Sequence, residues 1–497
     1  MTSRHLREFG RRLVLVLAVL SIVLVWSGIQ AEQAWAQPSP DAWGLNGSRQ
    51  LGVGNYGNET SPTPMVGLPS GVTSISSGDT HTLALAGGHV WATGDNAAGE
   101  LGNGSTTDGN SPVEVLCGAA PPADCSGGFL SNVRAISAGF GWSLAIVGAT
   151  RSLVAWGLDS SSACTPAACY GQLGDGKSMN ETEPVQVCAI APAGTNLPCP
   201  VGPYLRGVKA ISAGDLGSLA LLTGGRVAAW GQNSSGELGD GTMSDESDPV
   251  AVCAIGGCTN GKLRRVIAIS EGDTHSLAII RHKRTAIAWG SNFVGELGNG
   301  SCSGCSNCPT YTALNGQVAP TAPCSTSPVF VCAVGHNTSC PTNELIKVKA
   351  ISAGFDDSLA LLRKHSGPKV VGVVGWGGNP YGELGDGTTI NTSTPVGVCA
   401  VGANNTTCSS GPYLSRVKVI SAGDTHSFAV ISGGSVDAWG SNLFGELGFA
   451  PGPPNITCPG SLLVVGFSLC DNDPAPIANM SGVTAVSGDV ADGFAIF

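Results

Sequence analysis

Charge is what this chain has least of. Asp, Glu, Lys and Arg make up 12% of its 497 residues, and positive charge is the scarcer sign: 24 Lys and Arg against 35 Asp and Glu, for a net charge of −11. A surface that neutralises a nucleic-acid backbone should be basic, so the balance argues against that class of partner. Linkers are lacking too. No shift of composition interrupts the sequence after its N-terminal segment, so no second domain is expected. Long apolar runs are missing beyond that segment. Runs such as Val208–Ala213, Ser218–Leu222 and Val227–Trp230 are short, rich in Val, Ile and Ala, and bounded by Gly, Asp, Asn or Pro. Runs of that length with those boundaries form strands rather than helices.

What is abundant is glycine, with 73 residues, and repetition. One stretch, WGxNxxGELGDG, is seen at Trp230–Gly241, and its WG…GELG part recurs as Trp43–Gly52, Thr93–Gly102, Trp156–Gly174, Trp289–Gly298, Trp376–Gly385 and Trp439–Gly448. A second stretch, ISAGxxHSLAL, recurs from Ile75, Ile136, Ile211, Ile269, Ile351, Ile420 and Val486. The unit is thus written seven times. Glycine pairs at Gly224-Gly225 and Gly433-Gly434 suit tight hairpins, because glycine accepts positive φ without a steric penalty. Each unit is then a small antiparallel sheet that cannot bury its faces alone, whereas seven arranged radially can. These motifs resemble the regulator of chromosome condensation repeat family, over essentially everything from Trp43 to Phe497. The resemblance implies an all-β, seven-bladed β-propeller. The last strand, Phe494–Phe497, lacks its WG neighbour, and the one available is Trp43. The N- and C-terminal strands are therefore expected to pair and close the ring.

The first 36 residues have the pattern of an export signal: Arg4, Arg7, Arg11 and Arg12, then the apolar stretch Leu13–Ile29, then Ala34-Trp35-Ala36 before Gln37. The expectation is a signal peptide over 1–36 and one propeller over 37–497, exported to the cell surface or beyond. The alternative is that Leu13–Ile29 stays as a membrane anchor, although it is slightly short for a span of about 20 apolar residues. Eighteen cysteines agree with export. Their spacing suggests the disulfides Cys117 with Cys125, Cys164 with Cys169, Cys188 with Cys199, Cys253 with Cys258, Cys332 with Cys340, Cys399 with Cys408 and Cys458 with Cys470. Cys302, Cys305, Cys308 and Cys324 remain; a metal site is conceivable there, but two further disulfides are the simpler expectation.

Several motifs point to chemistry and are set aside. Gly171–Ser178 spells a phosphate loop, G-x4-G-K-S, but no helix follows to complete the anion site. Gly52–Gly57 matches GxGxxG and fails for the same reason. His81, His275 and His426 each stand two residues after Asp79, Asp273 or Asp424 in a GDTH turn, a pairing that could supply a general base. Other units replace them with Phe140-Gly141-Trp142, Leu216-Gly217 or Phe355-Asp356-Asp357, so bonding to nearby backbone in a turn is expected instead. The Trp residues of the WG positions are expected to pack between blades. Asn58, Asn180, Asn337 and Asn455 head Asn-x-Ser/Thr sequences. No catalytic, cofactor-binding or metal-binding set is expected.

Three functions remain open. The first is an exported, monomeric, non-enzymatic scaffold that binds an extracellular protein through face loops; the resemblance supports it, since secreted bacterial propellers of this family include β-lactamase inhibitor proteins. The second is nucleotide exchange or chromatin binding, as in the family's founder, which acidity and export oppose. The third is an enzyme acting on extracellular polysaccharide. Five consecutive connections, each between a PVxVC strand and the next ISAG strand, carry a cysteine pair. That row of loops is the expected partner surface, unless the bridges serve only to protect long loops from proteolysis.

Overall fold

The computed structural model describes residues 39–119, 124–159, 170–190, 202–300, 324–335, 340, 343–363, 372–401, 408, 411–450 and 470–497. Cys164, Cys169, Cys199, Cys302, Cys305, Cys308, Cys458 and the side chain of Cys470 lie outside the described residues, as do Asn337 and Asn455.

Seven four-stranded antiparallel sheets make up a seven-bladed propeller. The third blade runs Val208–Ala213, Gly217–Leu222, Val227–Gly231 and Glu246–Ala251, from the inner strand to the outer. The inner strands are Val72–Ser77, Val133–Ala138, Val208–Ala213, Val266–Glu271, Val348–Ala353, Val417–Ala422 and Ala485–Gly488; blades are numbered in that order. In blade 7 the sheet is closed by the two ends of the chain. Asp41–Gly44 lies between Asp492–Ile496 and Glu59–Pro64, with Ala42 opposite Phe494 and Trp43 opposite Gly493. No helix among the described residues is long and apolar enough to cross a membrane.

The second and third strands of a blade are buried on both faces, as in Gly217–Leu222 and Val227–Gly231. Each face packs against a different neighbouring blade, so the core is a set of wedges between blades. Between blades 3 and 4, for example, Leu219, Leu221, Ala229 and Leu238 meet Ile287 and Trp289.

The two repeated motifs are latches between blades. The Trp of each WG pair donates its Nε1–H to the carbonyl oxygen of the GELG glutamate, or its equivalent, in the preceding blade. Trp43 reaches Glu446, Trp156 reaches Glu100, Trp230 reaches Gln172 and Trp289 reaches Glu237, at 2.7–2.8 Å. The closing glycine of GELG makes room for that ring: Gly239 has φ +62°, and a Cβ there would sit 2.7 Å from the Trp289 indole. The serine of ISAG forms the second latch. Ser76, Ser137, Ser212, Ser270, Ser352, Ser421 and Ser487 each accept a backbone N–H from the inner strand of the next blade, at 2.9–3.3 Å, and Ser487 closes the circle on Ser77. Replacing Ser352 by Ala strands the Ala422 N–H, and should cost about 1–3 kcal/mol of stability in urea denaturation. An unchanged midpoint would show that the serine ring is incidental.

The sequons at Asn58 and Asn180 have a structural use. Asn58 Oδ1 accepts the amide of Asn46, and Asn180 Oδ1 that of Asp159. Asp108 and Asp245 serve blades 1 and 3 in the same way.

Candidate functional site

The ring has two unlike faces. Turns between the first and second strands, and the GELG connections, share one face, as the bonds Asp95 N to Thr80 O and Ser291 N to Thr274 O show. The hairpins between the second and third strands share the other with the outer-to-inner connections, as Val133 N to Gly88 O and Val266 N to Gly225 O show. The first is called the mouth face and the second the hairpin face.

At the mouth face the central channel narrows through a ring of glycines. A Cβ on Gly78, Gly139, Gly214, Gly272, Gly354 or Gly423 would fall 2.1–2.5 Å from the carbonyl oxygen of the equivalent residue in the next blade. The seventh equivalent is Asp489, which alone brings a side chain. At this ring is a cavity of ≈ 180 Å³ walled by its glycines, by the serines and by Asp215, Asp273, Asp424 and Asp489. Asp215, Asp424 and Asp489 come from blades 3, 6 and 7, and offer carboxylate oxygens all within 4.8 Å of one another. Among the described residues this is the one group of three acidic, His or Cys side chains so arranged. Burial first, and then mutual repulsion, pushes Asp215 up to about 7 and Asp273 up to about 8. Asp424 and Asp489 rise well above the usual range for the same reasons, and burial pushes Asp79 up to about 6. Groups so crowded share protons near neutral pH.

The GDTH histidines are not bonded to their own turns, as the sequence led one to expect. His81 Nε2 meets Ser143 Oγ of the next blade at 2.8 Å, His275 meets Ser358 at 2.9 Å, and His426 meets the Asp492 carbonyl at 2.9 Å. Each ring fills a slot between blades, and burial lowers its pKa to about 4. The other units fill the slot differently. Trp142 donates to Ser218, while Asp357 and Asp492 lie buried there. Blade 3 has Gly217, and Glu271 of blade 4 occupies the space, with Oε2 on Ser276 at 2.9 Å. A local turn reading missed this because the partner is a whole blade away in sequence.

The GELG glutamates are buried, and each takes a bond from an amide of its own loop, as Glu237 does from Ser235 at 2.7 Å. Lys177 of the phosphate-loop lookalike is occupied by Asp175 and Glu181.

On the hairpin face, Cys117–Cys125, Cys253–Cys258, Cys332–Cys340 and Cys399–Cys408 are joined and Cys188 is disulfide-bonded; Cys324, also disulfide-bonded, starts its strand at the mouth face opposite Ser291. Cys253, Cys332 and Cys399 each bridge to the far limb of their connection, at Lys262, Glu344 and Tyr413, so the loops share one hooked shape.

Large exposed apolar side chains are sorted between the faces. Tyr56, Phe140, Met179, Phe293, Phe355, Ile390, Leu443 and Phe444 lie on the mouth face; Val66, Ile346 and Val401 lie on the hairpin face.

Two models of the regulator of chromosome condensation repeat match, one at residues 42–85, 224–279 and 372–430, the other at 208–237 and 417–446. The ultraviolet-B receptor UVR8 of Arabidopsis thaliana is 23% identical over 76% of this chain and 79% of its own. The human E3 ubiquitin-protein ligase HERC2 is 25% identical over 82% of this chain, but the match spans 7% of that much longer protein. Among solved structures, Prp20p of Saccharomyces cerevisiae superposes with a TM-score of 0.65 at 20% identity, covering 93% of this chain and 92% of its own. Human WBSCR16 superposes with a TM-score of 0.61 at 18% identity, covering 92% and 99%. The repeats, their latches and these likenesses agree: the chain is a seven-bladed propeller whose units match the regulator of chromosome condensation repeat.

Proposed function

We propose that the chain is an exported, non-enzymatic scaffold that binds a protein partner with its mouth face. The observation that carries this reading is the sorting of exposed apolar side chains. Among the described residues, eight of the eleven lie on one rim of a ring whose backbone is pinned by interblade bonds. Exposed apolar side chains gathered on one face suit an association site, where aromatic anchors dominate the energy. Rigidity lowers the entropy lost on binding. On the hairpin face, where the disulfide loops were expected to recruit the partner, the described residues carry little of this chemistry: Val66, Ile346 and Val401. Prp20p, of the same fold, is described as binding Gsp1p and histones, so the architecture accommodates protein partners.

The test uses the chain from Gln37 onward to capture a partner from secreted and surface proteins, followed by affinity measurements. Phe293→Ser and Phe355→Ser should each weaken binding about tenfold or more. Replacing residues 254–260 by a short Gly-containing turn should leave affinity unchanged. The opposite pattern would move the site to the hairpin face, and capture of no partner would overturn the scaffold reading.

A further inference from the structure

The acidic net charge conceals a segregation. Among the described residues, every Lys and Arg except Arg49 and Lys177 belongs to the hairpin end of the ring. Arg134, Lys209, Lys349 and Lys418 share one position of the repeat, the second residue of the inner strand, and all four are exposed. None has a carboxylate partner among the described residues. Arg134 Nε bonds instead to the Gly148 carbonyl at 2.6 Å, and Lys349 Nζ to the carbonyl of Lys418 at 3.0 Å. Among the described residues, few carboxylates lie at this end, and Asp124 and Asp437 are buried while Asp41 is half-buried. Glu344 meets Lys283 at 3.9 Å, and Glu114 is held by His89 at 2.8 Å. Arg363 lies near enough to Arg284 to help lower its pKa, after the larger effect of burial. The carboxylates gather at the opposite end, around the channel mouth. The molecule is therefore polarised along the axis of the ring.

The shape of the cationic surface selects its partner. The cations span the five consecutive blades 2 to 6, the same blades that are entered through cysteine-bearing connections. They come from five of the seven blades rather than from one, so a plane of negative charge can meet more of them at once than a single strand does. The first strand of the ring, Asp41–Gly44, also begins at this end, since Asp41 pairs with Ala495. We infer that the hairpin face docks on an anionic lipid surface and leaves the apolar rim of the mouth face free for a protein partner. Juxtamembrane Lys and Arg each add to such attraction within a Debye length of the surface.

The experiment is co-sedimentation with vesicles. It uses the chain from Gln37 onward, which contains every strand of the ring. Vesicles of equal parts phosphatidylglycerol and phosphatidylcholine are compared with phosphatidylcholine alone. The expected partition is about a hundredfold higher on the anionic vesicles, and it should collapse at about 0.5 M salt. Joint substitution of Arg134, Lys209, Lys349 and Lys418 by Gln should remove about a hundredfold of that affinity, while Arg49→Gln with Lys177→Gln should not. The lipid and salt comparisons on the unaltered chain stand even if the fourfold variant fails to fold. Equal partition on both vesicles, insensitivity to salt, or full binding by a folded fourfold variant would each overturn the inference. So would salt-sensitive self-association in sedimentation velocity without vesicle binding, which would make a second copy's acidic mouth the occupant. Any of these results leaves the scaffold reading intact, because that reading rests on the opposite face.

Discussion

Deleting residues 37–45 is expected to lower the melting temperature by at least about 10 °C. The segment supplies Asp41–Gly44, which is hydrogen-bonded on both sides within blade 7. Without it, Asp492–Ile496 becomes an open edge and Glu59–Pro64 has no strand to pair with. Trp43 is lost as well. It is fully buried beside Phe428, with ring centroids 5.6 Å apart, and its Nε1 latches to the Glu446 carbonyl. Trp43→Ala alone should cost about 3–5 kcal/mol, which for a domain larger than about 150 residues corresponds to roughly 6–20 °C. A ring held by seven interblade seams has no redundancy at its closing seam, so the deletion should also expose blade 7 to proteolysis. A truncated protein that melts with the intact one would show that blade 7 closes without its third strand. Trp91→Ala is the control, since that ring is only half-buried.

The architecture was legible because its signal is repeated seven times. Any one WG or GELG could be accidental, but their fixed order could not. The closing pair was legible for a related reason: Phe494–Phe497 lacked a partner and Trp43 was available. Relations between blades were harder to see. His81 and Ser143 stand 62 residues apart, and a histidine two residues after an aspartate invites a local explanation. The Glu271 substitution is visible as ISEG among six ISAG-like strands. Its meaning depends on Gly217 in the blade before, and so on superposing the repeats. The two faces were hidden by summation. A net charge of −11 contains no information about direction, and successive members of Arg134, Lys209, Lys349 and Lys418 fall 69 to 140 residues apart in the chain. Aligning the repeats on VKAIS would have placed these four at one end of the channel.

The second large effect concerns pH. Burial pushes Glu100, Glu237, Glu296 and Glu383 up to about 7, and Asp273 up to about 8. A carboxyl whose pKa is raised by folding contributes stability that is complete below its unfolded value, near 4, and is lost as pH rises through the folded value. The slot histidines act in the opposite direction. Their pKa is lowered to about 4, so they contribute above their unfolded value of about 6.5 and lose it as pH falls towards 4. The two sets oppose one another between about 4 and 6.5, whereas above 6.5 only the carboxyls titrate. The melting temperature should therefore fall between about pH 6.5 and 8.5, and a flat or rising curve would contradict the burial argument. Glu271 isolates the effect. It is 5% exposed, and its Oε1 has no hydrogen-bond partner. Burial raises it well above its ordinary value; the Ser276 bond offsets part of that rise, and Glu237 adds to it. Glu271→Gln keeps the shape of the side chain in the space beside Gly217 and removes the charge. It should raise stability by about 1–3 kcal/mol at pH 8.5 and by less at pH 5, because burial favours the neutral carboxyl. An equal shift at both pH values would mean that packing in the slot, and not ionisation, sets the cost of Glu271.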